Sequence, residues 1–277
     1  MDEQGNPHFR LLESIAGDLS GEVNFPTCLD AAVLVRNTLR DPEVSLDRVA
    51  TVIGSEALIA SKLLRLANSV HYNPGGRAIT DLRNAVSRLG FETVRTVSLA
   101  VAMDQMVKAR HLGAFTCIAR ETWDHSLRVA AIARVLARRI GRINQDEAMV
   151  AGMVRAIGVF YLLFRAAERA EYREDRALTL ELLRGWQGSI GEGLLQVLGL
   201  PERIVGALQQ REPNLVNPCS LGDVIFFASL LAAPAPEWLA TPQPPGAEDS
   251  SAAAQRYADL LAEAEEDMAE LRAALAA

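Results

Sequence analysis

At 277 residues the chain can form one large domain or two moderate ones, long enough in either case to bury a sizeable core. Hydrophobic residues make up 49% and charged residues 23%, the balance of an ordinary globular protein, and the net charge of -7 argues against an extended surface for duplex nucleic acid. The most hydrophobic segment, Val224 to Ala233, is too short to cross a bilayer and ends at Pro234, and Asp2 and Glu3 open the chain without an apolar leader. Cys28, Cys117 and Cys219 form no CxxC pair, so a cytoplasmic protein with buried structural thiols is expected.

Taken from the N-terminus, apolar residues recur at intervals of three and four. Leu29, Ala32, Val33, Val35 and Leu39 form one such set, and Val49, Val52 and Ile53 another, while sustained period-two alternation is missing. Helix punctuation falls between these sets: Gly21 before Phe25-Pro26, Asp41-Pro42 before Ser45, Asn73-Pro-Gly-Gly76 before Asp81, and Gly90 before Phe91. Two strongly apolar helices, Ser126 to Ile140 and Glu147 to Leu163, flank the polar turn Arg142 to Glu147 and read as the central pair of a bundle. Five prolines between Ala233 and Ala247 make a linker that cannot be helical. Beyond it, Tyr257, Leu260, Leu261, Ala264, Met268, Leu271 and Leu275 share one side of a terminal amphipathic helix, which needs a packing partner: its own domain, or a second copy in a homodimer. The pattern predicts an all-α protein of about a dozen helices.

Several motifs, in order from Phe25 to Pro213, carry a family resemblance. These are Phe25-Pro26, then Asp41-Pro-Glu-Val-Ser-Leu-Asp47, then Leu63-Leu-Arg-Leu-Ala-Asn-Ser69 with Tyr72 following. Ile79 to Gly90, Trp123-Asp-His-Ser126 with Val129-Ala130, and Gly199-Leu-Pro-Glu202 complete the set. Together they resemble the HDOD family, helical output domains of bacterial signalling proteins related to HD-type phosphohydrolases. The resemblance implies a multi-helix bundle in two lobes. Residues 1–24 form a lead-in helix, 25–111 an N-terminal lobe, 112–233 a degenerate HD-like lobe, 234–248 the Pro-rich linker and 249–277 the terminal helix.

The departures from that pattern fall at the metal site. Where many relatives carry a His-Asp pair, Ala151-Gly-Met-Val-Arg-Ala-Ile-Gly158 places Arg155 and Ala156, and where many carry a His pair before a Pro, this chain has Gln210, Arg211, Glu212 and Pro213. An HD-type site needs several imidazoles and a carboxylate around a divalent ion, and of the four histidines His8, His71, His111 and His125 only the last stands at such a position. Arg155 adds a fixed positive charge that repels a metal. No cofactor and no catalytic residue is therefore assigned.

The candidate pocket comprises His125 and Arg155, with Trp123, Arg65, Asn68 and Ser69 around it. Arg155 either recognises an anion, such as a phosphate or a partner's carboxylate, or pairs with a nearby Glu and holds helices together. His125 is either a vestigial ligand or a hydrogen-bonded core residue. Trp123 and Trp186 read as packing anchors. Asn68 and Ser69 read as a helix end that could also line a cleft, and Lys62, Arg65, Arg77 and Arg83 read as solvated faces. The resemblance then implies a non-catalytic regulatory module that acts in trans, as a scaffold or small-ligand sensor, on receiver or cyclic-di-GMP pathway components. The alternatives are a residual phosphohydrolase for nucleotides or cyclic dinucleotides, and nucleic-acid binding near Arg65 and Arg77.

Overall fold

The computed structural model describes residues 7–20, 30–209, 219–239 and 258–275. Every regular element among them is helical. Phe25-Pro26, Cys28, the stretch Gln210 to Pro213, most of the Pro-rich linker and Tyr257 lie outside the described residues.

Helix α1 (Pro7–Ser20) lies on α10 (Arg176–Val197) and is tied down by His8, whose Nδ1 is 3.0 Å from the hydroxyl of Tyr172. Helices α2 (Asp30–Thr38), α3 (Leu46–Gly54) and α4 (Ala57–Ala67) gather around α5 (Leu82–Lys108). The punctuation expected from sequence is where their caps occur. Ser45 accepts from the amide of Arg48 and Asp81 from that of Asn84, each satisfying a donor that a helix start leaves open. Gly90 breaks α5 at φ 76°, a left-handed conformation that glycine adopts without steric penalty.

A 3₁₀ turn (Arg110–Phe115) leads into α6 (Thr116–Ile140), which ends on the left-handed Gly141. The Asn144 side chain then caps α7 (Gln145–Val154) by accepting from the amides of Asp146 and Glu147. The single helix expected over Glu147 to Leu163 is in fact two, since the backbone turns at Arg155 and Ala156 before α8 (Ile157–Ala166) begins. The break lets the two halves take different neighbours: α7 lies on α6 and α8 on α10. As a single stretch, Gln145–Ala166 has the length and apolarity of a membrane span, but 83% of its most apolar window is buried inside the protein.

Short α9 (Ala170–Glu174), α11 (Glu202–Gln209) and α12 (Leu221–Leu231) complete this half. Asp223 and Ser220 cap α12 reciprocally. The terminal helix α13 (Ala258–Leu275) packs on α6 and α4 of its own chain, with Leu260, Ala264, Met268 and Leu271 buried. These four positions of its apolar stripe are covered within the chain.

Trp186 is 42% exposed, because it stands on the outer face of α10. Lys62 is buried at 1% exposure although it sits among solvated cations in sequence; its position on α4 turns inward, toward α5. Cys117 and Cys219 are exposed, one in the first turn of α6 and the other just before the α12 cap.

Candidate functional site

Two glycines fix where Arg155 goes. A Cβ on Gly152 would lie 2.6 Å from the Cα of Ala130, so α7 approaches the α6 backbone closer than any side chain allows. A Cβ on Gly158 would lie 2.7 Å from the amide nitrogen of Gly191 and closer still to the carbonyl of Gln187, so α8 and α10 are in backbone contact too. Helices α6 and α7 run antiparallel through a short turn. Moving up α7 from Gly152 to Arg155 is therefore matched by moving just over one turn down α6 from Ala130, which arrives at His125. The result is Arg155 Nη1 at 3.3 Å from His125 Nδ1.

His125 is 1% exposed. Burial, then the positive charges of Arg155 and Arg128, hold its pKa down to about 3. The ring is therefore neutral, and with Nδ1 accepting from Arg155 its proton is assigned to Nε2. Nε2 itself is buried and has no partner among the described residues. Burial also lowers Arg155, to about 10, which leaves it a cation at neutral pH. No carboxylate among the described residues lies within 4.0 Å of its guanidinium, so the Glu partner expected for a buried Arg is not found there.

Arg155 also lines a cavity of about 240 Å³ between α10, α11 and α12. One face of α10 supplies Gly188, Gly191, Glu192 and Leu195 at helical spacing, and Val205, Leu208, Ile225, Phe226, Leu230 and Leu239 make the remaining wall mainly apolar. Sequence reasoning missed this wall. Its visible signal was the run of glycines in α10, Gly185, Gly188, Gly191 and Gly193, too dense for a helix with no backbone neighbour or pocket.

The other candidate residues stand elsewhere, and none of them lines the cavity. Trp123 is buried and meets Phe160 edge-on at 6.3 Å between centroids. Arg65 is exposed and donates to the carbonyl of Ala273 in α13, 3.2 Å away. Asn68 caps α4 and clamps the following loop, donating to the carbonyls of Leu64 and Ile79 while accepting from the amide of Ile79 at 2.8 Å. Ser69 continues this turn through its backbone.

A second polar cluster, not foreseen, lies where α13 closes over α6. Arg134 is 1% exposed, sits over the Tyr72 ring at 5.5 Å to its centroid, and faces Asp146 and Asp267 at 3.9 Å each. The Tyr72 hydroxyl donates to Asp146 at 2.9 Å, and burial followed by that carboxylate pushes its pKa up.

With this helical frame established, a family model of the HDOD domain matches residues 25–212. The chain belongs to the HDOD family. Among solved structures, a protein from Shewanella amazonensis SB2B, provisionally named a metal-dependent phosphohydrolase, aligns over 97% of this chain and 99% of its own with a TM-score of 0.71 and 21% identity. An HDOD domain protein of unknown function from Geobacter sulfurreducens aligns over 98% of both chains with a TM-score of 0.55 and 20% identity. A protein from Marinobacter aquaeolei VT8, provisionally named for signal transduction, aligns over 98% of this chain and 66% of its own at 0.50 and 14%. At these identities the likeness is one of HDOD fold. Curated proteins give no match.

Proposed function

We propose that this chain is a non-catalytic regulatory HDOD module that senses a small anion at Arg155 and passes the bound state to a signalling protein in trans. The observation that carries the reading is a cation lining a mainly apolar cavity with no carboxylate partner among the described residues, its neighbour a neutral histidine. A half-buried cation gains from a counterion, and an anionic ligand would supply the one that the described residues do not. The Marinobacter neighbour's name supports a signalling role.

The HD relationship implies a divalent metal, and the residues present do not fit one. By the family resemblance Arg155 and Ala156 fall where many relatives carry the His-Asp pair, and the Nδ1 lone pair of His125 is directed at a guanidinium. A dication there would meet a fixed positive charge. Among the described residues no three His, Cys, Asp or Glu side chains gather into a metal-binding group. No hydrolytic step is therefore derived.

The test is a thermal-shift panel on metal-free protein with Mn, Fe, Zn and Mg ions and with small anions, beside Arg155→Ala. Ligands that bind the folded state alone raise the melting temperature. An anion-dependent rise that disappears in Arg155→Ala is expected. A rise with a divalent ion alone, accompanied by phosphoester hydrolysis, would replace this reading with the phosphohydrolase one.

A further inference from the structure

We infer that the cavity beside Arg155 takes an apolar monocarboxylate of about ten non-hydrogen atoms, a medium-chain or aromatic acid, rather than a nucleotide. This rests on the anion-sensing reading above and narrows it to a ligand class.

Size is the first argument. A cavity of about 150 Å³ accommodates benzene, with six non-hydrogen atoms. Scaled by volume, 240 Å³ holds about ten such atoms. That is below the usual range for drug-sized ligands, about 300–1,000 Å³, so most of a cyclic dinucleotide would lie outside the pocket.

Polarity is the second. The walls are chiefly Leu195, Val205, Leu208, Ile225, Phe226 and Leu230, surfaces that gain by covering a hydrocarbon body. Charge is the third, and it selects among anions. Among the described residues Arg155 is the one cation lining this space, and a phosphate dianion would leave its second charge uncompensated against apolar walls. A carboxylate matches the single charge and the planar fork of Arg, of whose five N–H donors one is directed at His125. Glu192 lines the cavity but lies more than 4.0 Å from that guanidinium, so it does not take the ligand's place.

Gly188 provides a way to fill the cavity without touching Arg155. A Cβ there meets no atom within 4 Å, and replacing glycine inside a helix favours the fold. The experiment is calorimetry and thermal shift on the full chain with octanoate, octanol, inorganic phosphate and a nucleotide monophosphate, using wild type, Arg155→Gln and Gly188→Leu. Octanoate should raise the melting temperature of wild type and bind at least about tenfold more tightly than octanol. Both variants should weaken octanoate by about tenfold or more while keeping the wild-type circular dichroism spectrum.

Octanol binding as tightly as octanoate, or octanoate binding unchanged in both variants, would overturn the inference. If phosphate or the nucleotide gives an Arg155-dependent shift and octanoate gives none, the monocarboxylate is wrong and anion sensing stands. If no anion shifts any form, both fall.

Discussion

Nδ1 of His125 faces Nη1 of Arg155 at 3.3 Å, so a buried imidazole takes its hydrogen bond from a cation instead of a carboxylate. The pair is acid-sensitive. The folded ring stays neutral down to about pH 3, while an unfolded histidine protonates near 6.5. Stability that depends on the neutral ring is complete above about pH 6.5 and is lost as pH falls toward 3. Between pH 6.5 and 5 the loss is about 2 kcal/mol for one such group. Urea unfolding at pH 7 and pH 5 should show this loss in wild type and a smaller one in His125→Gln. Arg155→Met should remove part of it, because burial, the larger cause, remains.

Gly158→Ala should be among the most destabilising single-methyl changes in the protein, costing about 2–4 kcal/mol, because the backbones of α8 and α10 must separate to admit it. Gly185→Ala is the matched control. Its Cβ meets nothing within 4 Å on the exposed face of α10, so it should stabilise by up to about 1 kcal/mol. Melting temperatures of the two variants moving in the same direction would contradict the close-approach account.

Removal of Arg134 leaves Asp146 and Asp267 without the cation between them, in a site closed by Tyr72. Arg134→Met should cost about 1–3 kcal/mol, less than for a fully buried pair because both carboxylates are partly exposed. Combining it with Asp267→Asn should recover part of that loss, and a double-mutant cycle in denaturant reads the coupling. Additive losses would mean the 3.9 Å approach carries no energy.

Leu271→Ala should destabilise by about 2–4 kcal/mol, because Leu271 is buried where α13 packs within its own chain. Sedimentation velocity across a range of concentrations should give the same association state for wild type and variant. A variant that instead dissociated an assembly would place the helix at a seam between copies.

The helices were legible because burial repeats every three to four residues and because their ends carry residues with specific backbone work, Ser45, Asp81 and Gly90 among them. Arg155 and His125 were legible as a pair through the family pattern alone; their contact depends on Gly152 seating α7 against Ala130, a spatial fact. Arg134 was not legible. In the run Ala133-Arg-Val-Leu-Ala-Arg-Arg139 it looks like any helix cation, and what buries it is a helix far along the chain. The break at Arg155 was hidden for a related reason: no Pro or Gly marks it, and the separate partners of α7 and α8 are not written nearby.

The seat of α13 also has a timetable. Arg138 and Glu263, which pair across it, are 125 residues apart, a span that takes roughly 6–25 s to synthesise at roughly 5–20 residues per second. Throughout that interval α6 is complete while its apolar seat and the inner side of Arg134 stand open to the surroundings. A newborn chain therefore spends many seconds with a seat on α6 whose own occupant has not yet been made.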